Sequence, residues 1–365
     1  MARRRRLAVL AALTALAAAA AIGAFARPAP PNAYVVRALA SDRAGAARIR
    51  DTSLVNPFGL AASPTGPWWT ANEAQDSSTL YADNGAKQLL TVTVEGGPTG
   101  VAYNGGRGFV VRARGVAYPA RFVYASEDGM IRGWSPSVPT GWSTASEVAI
   151  DRSGEGAVFR SLAIATLRDG SSRLYATDFH NGRVNVFDEQ WRPVVRAGAF
   201  EDAAIPAWYA PYGIYAHGDR VFVTFASPAP VNGNDAPTGG YVDEFDVDGR
   251  LVARVARMGR LRAPWGLALA PSGFGRFGGD LLVANFGDGH VNAFRRDGGS
   301  WSYDGTLRRP DGRPIAINGL WGIAFGNGRF AGRTDTLYFT AGPHRWRGAT
   351  ETAVHGLFGS IVAVH

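Results

Sequence analysis

The chain of 365 residues is 46% hydrophobic and 19% charged, with 47 glycines, 21 prolines, 10 tryptophans, 12 tyrosines and 19 phenylalanines, which excludes a disordered or collagen-like polymer and points to a globular protein rich in tight turns. Lysine and arginine outnumber aspartate and glutamate 38 to 30, a formal +8; setting aside Arg3 to Arg6 leaves 34 − 30 = +4, with no strongly basic face for nucleic acid. Cysteine is absent, so disulfides, thiol chemistry and cysteine-held metals are excluded.

In chain order, Arg3 to Arg6 form a positive cluster, Leu7 to Gly23 an Ala/Leu-rich apolar run, and Ala24-Phe25-Ala26 a small-x-small cleavage site. That order reads as a secretory signal peptide over residues 1–26. An uncleaved anchor is the rival reading of the same run. The mature chain, 27–365, is expected outside the cytoplasm, periplasmic or extracellular, with no membrane span left after cleavage. Next comes a strand pattern at Ala33 to Leu39, followed by a repeat. A strand opening of the form x-Gly-Leu/Ile/Val-Ala recurs at Phe58-Gly59-Leu60-Ala61, Thr99-Gly100-Val101-Ala102, Tyr212-Gly213-Ile214-Tyr215, Trp265-Gly266-Leu267-Ala268 and Trp321-Gly322-Ile323-Ala324, with Arg160-Ser161-Leu162-Ala163 as a degenerate sixth copy. Each opening precedes an apolar run such as Trp68 to Asn72, Leu174 to Asp178 or Leu281 to Asn285, then an Asn-Gly or Asp-Gly turn and a third strand, the chemistry of antiparallel hairpins.

Four short strands in roughly fifty residues, six times over, predict an all-β fold: a six-bladed β-propeller of four-stranded antiparallel blades in one domain, 27–365. The sixth unit ends at its third strand, Ser360 to Val364. The strand at Ala33 to Leu39 is therefore expected to complete the last blade and cover an edge that would otherwise template aggregation.

The openings resemble NHL-repeat propellers. The longer phrases Ala125-Ser126-Glu127-Asp128-Gly129, Asp178-Phe179-His180-Asn181-Gly182-Arg183-Val184, Ala263 to Pro271, Asn285-Phe286-Gly287-Asp288-Gly289 and Gly319 to Gly328 resemble an uncharacterised family of exported bacterial proteins. The resemblance implies a six-bladed fold and export, and it implies no reaction, because that family carries no assigned activity.

Strand polarity locates the candidate site. Openings, second-strand ends and the turns after them share one face of a propeller, which gathers Phe58, Thr99, Arg160, Tyr212, Trp265 and Trp321 at the channel mouth and adds Asn72, Glu127, Asp178 and Asn285 from the second strands. Two extended turns, Ala226 to Gly240 and Gly342 to Gly356, are expected to overhang it. Aromatic, acidic and amide groups around a concave mouth suit a small polar, carbohydrate-like ligand or a protein partner. The same residues equally serve packing between blades and capping of turns. A second reading, a metal-dependent propeller hydrolase or lactonase, needs Glu127, Asp178, Asn72 and Asn285 to converge on a divalent cation such as Ca2+. Those enzymes resemble this chain less at the openings, where their Asn is replaced by Phe58, Tyr212, Trp265 and Trp321. A third reading is a cell-surface scaffold. With no strong catalytic motif, the sequence is read as a monomeric, cofactor-free binding module rather than an enzyme. His180 and His290 are read as turn-surface residues.

Overall fold

The computed structural model describes residues 31–227, 239–347 and 350–364; the segment read as a signal peptide and most of the turn from Ala226 to Gly240 lie outside them. Among the described residues the regular structure is strand, apart from three single-turn 3-10 segments, Glu73–Gln75, Ser153–Glu155 and Gly275–Phe277. The strands form six antiparallel blades. From axis to rim, blade 1 is Pro57–Ala62, Trp68–Asn72, Ser77–Tyr81 and Lys87–Thr93, and blade 2 is Pro98–Tyr103, Phe122–Ser126, Met130–Trp134 and Glu147–Asp151. Blade 4 is Ala210–His217, Arg220–Ala226, Tyr241–Asp246 and Leu251–Arg257; blade 5 is Pro264–Leu269, Leu281–Asn285, Val291–Asp297 and Ser300–Thr306.

Blade 3 departs from the expected four strands. It holds Phe159–Thr166, Ser172–Asp178 and Arg183–Asp188 only, with a single bridge between Phe187 and Pro193 where a fourth strand would run. The chain folds back immediately after Asp188, whose Oδ1 accepts the amides of Gln190 and Arg192 at 2.9 Å each, and Pro193 has no N–H to extend a ladder. Blade 6 closes as the sequence predicts: Leu320–Phe325, Thr336–Ala341 and Leu357–Ala363 are joined by the N-terminal strand Tyr34–Ser41, with Tyr34 opposite Ala363 and Arg37 opposite Ser360. Ile49–Arg50 then adds a short parallel rim strand.

The innermost strands neighbour one another in a closed cycle, blade 1 to blade 6 and back, and the opening glycines set their spacing. A Cβ built on Gly59 would lie 2.7 Å from the Val101 amide of blade 2, one on Gly100 2.8 Å from the Leu162 amide of blade 3, and one on Gly322 2.8 Å from the Phe58 carbonyl of blade 1. Gly213 and Gly266 approach the carbonyls of Trp265 and Trp321 more closely still. Only a residue without a side chain permits this backbone contact. Threonine hydroxyls pin the same level: Thr99 Oγ1 donates to Phe159 O at 2.8 Å, Thr177 Oγ1 to Tyr212 O at 2.8 Å and Thr340 Oγ1 to Phe58 O at 2.6 Å.

Both faces of each blade press on a neighbour, so the second strands are buried throughout; Trp68–Asn72, Phe122–Ser126 and Leu281–Asn285 have no exposed residue. They read as continuous apolar runs for this reason. Six apolar clusters fill the six interfaces, for example Trp69, Phe122 and Trp134 between blades 1 and 2, and Trp68, Tyr81, Tyr338 and Phe358 between blades 6 and 1. Polar pins cross these interfaces. Glu244 of blade 4, fully buried, accepts Arg296 Nη1 at 2.8 Å and Trp301 Nε1 at 2.9 Å from blade 5. Tyr34 OH of the closing strand donates to Phe274 O at 3.2 Å and accepts Phe277 N–H at 3.3 Å.

Removing the closing strand uncovers the edge of Leu357–Ala363 and the Tyr34 pin together. Deletion through Ser41 should lower the melting temperature of the whole domain in one transition; a truncated chain that melts like the full one would show that closure carries no stability.

Two buried carboxyls make a second prediction. Asp243 is fully buried, and burial lifts its carboxyl to about 7 despite the Arg254 guanidinium beside it. Asp280, also buried, is lifted to about 6 by burial and by neighbouring Asp304. Both hold protons more tightly folded than unfolded, so their stability contribution is complete below about pH 4 and lost as pH rises through 6 and 7. Thermal melts should show lower stability at about pH 8 than at about pH 5, and the double substitution Asp243→Asn, Asp280→Asn should flatten that slope.

Candidate functional site

At the opening end of the innermost strands the expected aromatics do converge, and they converge on one another. Phe58 (3% exposed), Tyr212 (8%), Trp265 (6%) and Trp321 (4%) form a single cluster with half-buried Phe179 and Phe286 against it. Trp321 is its centre: its ring stacks on Phe58 with centroids at 3.8 Å and on Phe286 at 4.0 Å, and meets Trp265 edge to face at 5.8 Å. Phe179 tilts onto Tyr212 at 4.8 Å. The mouth is thus a packed aromatic plug rather than an open aromatic wall, because four large side chains pointing across a narrow axis fill it.

A half-exposed polar arc borders the plug. Trp321 Nε1 donates to Asn56 Oδ1 at 3.1 Å, and Asn56 Nδ2 donates to Glu73 Oε2 at 2.7 Å. Glu73 and Glu127 then flank Gly97, where a Cβ would meet their side chains at 3.6 and 3.7 Å. Glu127 accepts the Arg160 guanidinium, whose Cζ lies over the Phe179 ring at 5.7 Å. Burial raises the Glu127 carboxyl above its usual range; Arg160 opposes the rise and Glu73 adds to it. Burial also pushes the Tyr212 hydroxyl up to about 12. Thr99, the sixth opening residue, is spent on the pin to Phe159.

Three expected site residues are elsewhere. Asn72, fully buried, donates to Ser77 Oγ at 3.3 Å and Thr79 Oγ1 at 2.8 Å inside blade 1. Asp178, also fully buried, accepts the amides of Val158 and Asn181 and the side chains of Asn181 and Asn185. Asn285 Nδ2 donates to Arg260 O at 2.8 Å and Asp288 Oδ1 at 3.1 Å. Each terminates a second strand and organises the adjoining turn. With these three spent on contacts within their own blades and the adjoining loops, they do not join Glu127 around a cation, and no cluster of three or more metal-ligating His, Cys, Asp or Glu occurs among the described residues. His290 pairs with Asp288 at 3.2 Å, and His180 is exposed.

Sequence reasoning missed Asn56, Glu73, Phe179 and Phe286. Two signals were present: Asn56 lies two residues before the opening Phe58, and Phe179 and Phe286 come just after second-strand ends at equivalent places. Of the extended turns, Gly342 to Gly356 contains a hairpin of His344–Arg347 with Thr350–Val354, and the His344 ring stacks on Phe286 at 5.2 Å.

Beneath the plug, a cavity of about 500 Å³ runs along the axis, walled by all six innermost strands from Gly59, Gly100, Ser161, Gly266 and Gly322 down to Tyr103, Tyr215, Leu269, Phe325 and Asn327. Exposure rises along each strand away from the plug, so the space widens toward the opposite face.

No family model matches the chain. Uncharacterized protein R648 of Acanthamoeba polyphaga mimivirus is 31% identical over 343 residues, covering 90% of this chain and 80% of that protein. Uncharacterized protein L690 of the same virus is 29% identical over 343 residues, covering 90% and 86%. The resemblance read from the sequence was to bacterial proteins, whereas these relatives are viral. Among solved structures, the soluble aldose sugar dehydrogenase from Escherichia coli in its apo form has a TM-score of 0.52 at 11% identity, covering 91% of this chain and 100% of that one. The PQQ-bound aldose sugar dehydrogenase from Streptomyces coelicolor has 0.51 at 16%, with the same coverage. At such identities the likeness is one of fold.

The plug predicts a stability phenotype. Trp321→Ala should cost about 3 to 5 kcal/mol, the range for emptying a packed aromatic site, read as a lower urea midpoint at unchanged slope. Trp321→Phe, which keeps a ring between Phe58 and Phe286, should cost less. An unchanged midpoint for the alanine variant would mean that the plug contributes no packing energy.

Proposed function

The chain belongs to the family of the mimivirus uncharacterized protein R648, and from the site itself we propose that it is an extracytoplasmic binding protein holding a small, hydroxyl-rich, carbohydrate-like ligand at the mouth. The observation that carries this reading is the half-exposed arc Asn56, Glu73, Glu127 and Arg160 running along the edge of an aromatic floor. Carboxylates and an amide accept from ligand hydroxyls, Arg160 donates, and the rims of Phe179 and Phe286 offer ring surface to C–H faces. Glu73 and Glu127 exceed Arg160 by one negative charge, which favours neutral or cationic ligands over anions. The PQQ of the Streptomyces enzyme does not fit on this ground, since a quinone tricarboxylate needs free cations and the guanidinium here is already bound to Glu127. Export rests on the N-terminal segment, with its charged cluster, apolar run and cleavage site.

The test uses protein recovered from the extracytoplasmic fraction, where the mature N-terminus is expected at Arg27. Calorimetric titration with maltose, cellobiose and chitobiose should find a binder, and Glu127→Gln and Arg160→Ala should each weaken it about tenfold, the loss of one charge-assisted hydrogen bond, at unchanged melting temperature. Absence of binding to all three sugars, or equal binding by both variants, would remove the mouth as a carbohydrate site.

A further inference from the structure

We propose that the face opposite the mouth docks on an anionic lipid bilayer, through the long connection of blade 2 and the turns beside it. Strand polarity puts the first-to-second and third-to-fourth connections of every blade on that face. In blade 2 the first of these, residues 104–121, contains a hairpin of Val110–Ala113 with Val116–Pro119. Its turn is Arg114-Gly115, with φ of 50° and 78°, the geometry of a tight two-residue hairpin. The base is fixed, since Trp191 Nε1 donates to Val110 O at 3.0 Å and the Phe109 amide to Glu189 O at 2.7 Å. This anchored hairpin presents Arg112 and Arg114 to solvent, with Arg107 before it and Tyr118, 52% exposed, on the returning strand.

The charge of this surface is unspent. Among the described residues Arg107, Arg112 and Arg114 are exposed and their side chains make no ion pair or hydrogen bond, and the same holds for Arg329 in the first-to-second connection of blade 6. Glu189, at the base of the hairpin, is turned to the Ser172 amide at 2.9 Å. Over blades 3 and 4 the same face differs: Arg168 pairs with Asp219, and Arg173 and Arg196 share Asp248. Large rings stand beside the free arginines. Trp142, in the third-to-fourth connection of blade 2, is 84% exposed, and Phe330, beside Arg329, is 66% exposed. Trp142 has a φ of 51°, which a bulky residue adopts only where the chain around it is held; the next residue supplies that hold, Ser143 O accepting Trp134 Nε1 at 2.9 Å. Aromatic rings settle at headgroup depth in a bilayer, and guanidinium groups pair with lipid phosphates. A soluble polyanion would engage the arginines and leave Trp142 and Phe330 in water, whereas an anionic bilayer takes up both.

The test uses the chain from Arg27, which holds every described blade and lacks the apolar run Leu7 to Gly23. It is sedimented with vesicles of phosphatidylcholine alone and of equal parts phosphatidylcholine and phosphatidylglycerol. The protein should pellet with the mixed vesicles and stay in solution with the neutral ones, and added salt should weaken the binding. Arg112→Gln combined with Arg114→Gln should weaken it about twenty-fivefold, or about fivefold for each charge. Trp142→Ser should weaken it about tenfold, through loss of one ring from the lipid surface. Arg168→Gln removes an exposed arginine of the same face that is already paired, and should leave binding unchanged. Melting temperatures should match the parent chain throughout; if Trp142→Ser does not fold, the arginine pair decides. No pelleting with mixed vesicles, equal pelleting with neutral ones, or an equal loss in Arg168→Gln would each overturn the proposal. Polyphosphate binding as tight as vesicle binding, with Trp142→Ser changing neither, would also overturn it and assign the arginines to a soluble polyanion.

Discussion

Backbone contact at the level of the opening glycines is the constraint on which the rest of the molecule depends. Gly59, Gly100, Gly213, Gly266 and Gly322 each face the main chain of the next blade so closely that no Cβ fits, and the threonine pins act at the same height. Strands held this near one another at one end and splayed at the other produce a narrow throat and a widening channel. Each innermost strand is also the edge strand of its blade, so the channel wall carries backbone edges and small side chains, not a second layer of packing. Ser161 is the one break in the layer, and it falls in blade 3, the blade without a fourth strand.

The throat explains why the aromatics of the mouth are buried. A residue preceding each glycine projects toward the axis at its narrowest point, and four of the six are Phe, Tyr or Trp. Their rings satisfy one another by stacking and edge contacts before any ligand is present. The surface that stays available is the border of the plug, where Asn56, Glu73, Glu127 and Arg160 share hydrogen bonds and a raised carboxyl. The plug itself is packing, and the proposed ligand contacts lie on its edge.

Without disulfides, the blades are joined by apolar clusters and by buried charge. Glu244 answers two blade 5 donors as well as Arg220 of its own blade at 3.0 Å; Asp51 holds Tyr81 OH at 2.5 Å and Lys87, the single lysine of the chain, at 2.8 Å. Buried pairs of this kind cost much when one partner is removed and add modestly when intact.

Local sequence determined the repeat, the number of blades, the hairpin turns and the closing strand, because turn chemistry and strand patterning act over a few residues and recur six times. It also placed Phe58, Arg160, Tyr212, Trp265, Trp321 and Glu127 on one face, since strand polarity is a consequence of hairpin order. Whether those side chains stand open or seal the axis depends on the width of the throat, and that is set by contacts between residues about fifty positions apart, and in the case of Gly322 against Phe58 more than 260 apart. The internal contacts of Asn72, Asp178 and Asn285 and the loss of the fourth strand after Asp188 were likewise decided only in three dimensions. Each depends on which donors and acceptors the neighbouring strand or blade brings within hydrogen-bond reach, and no local pattern encodes that distance.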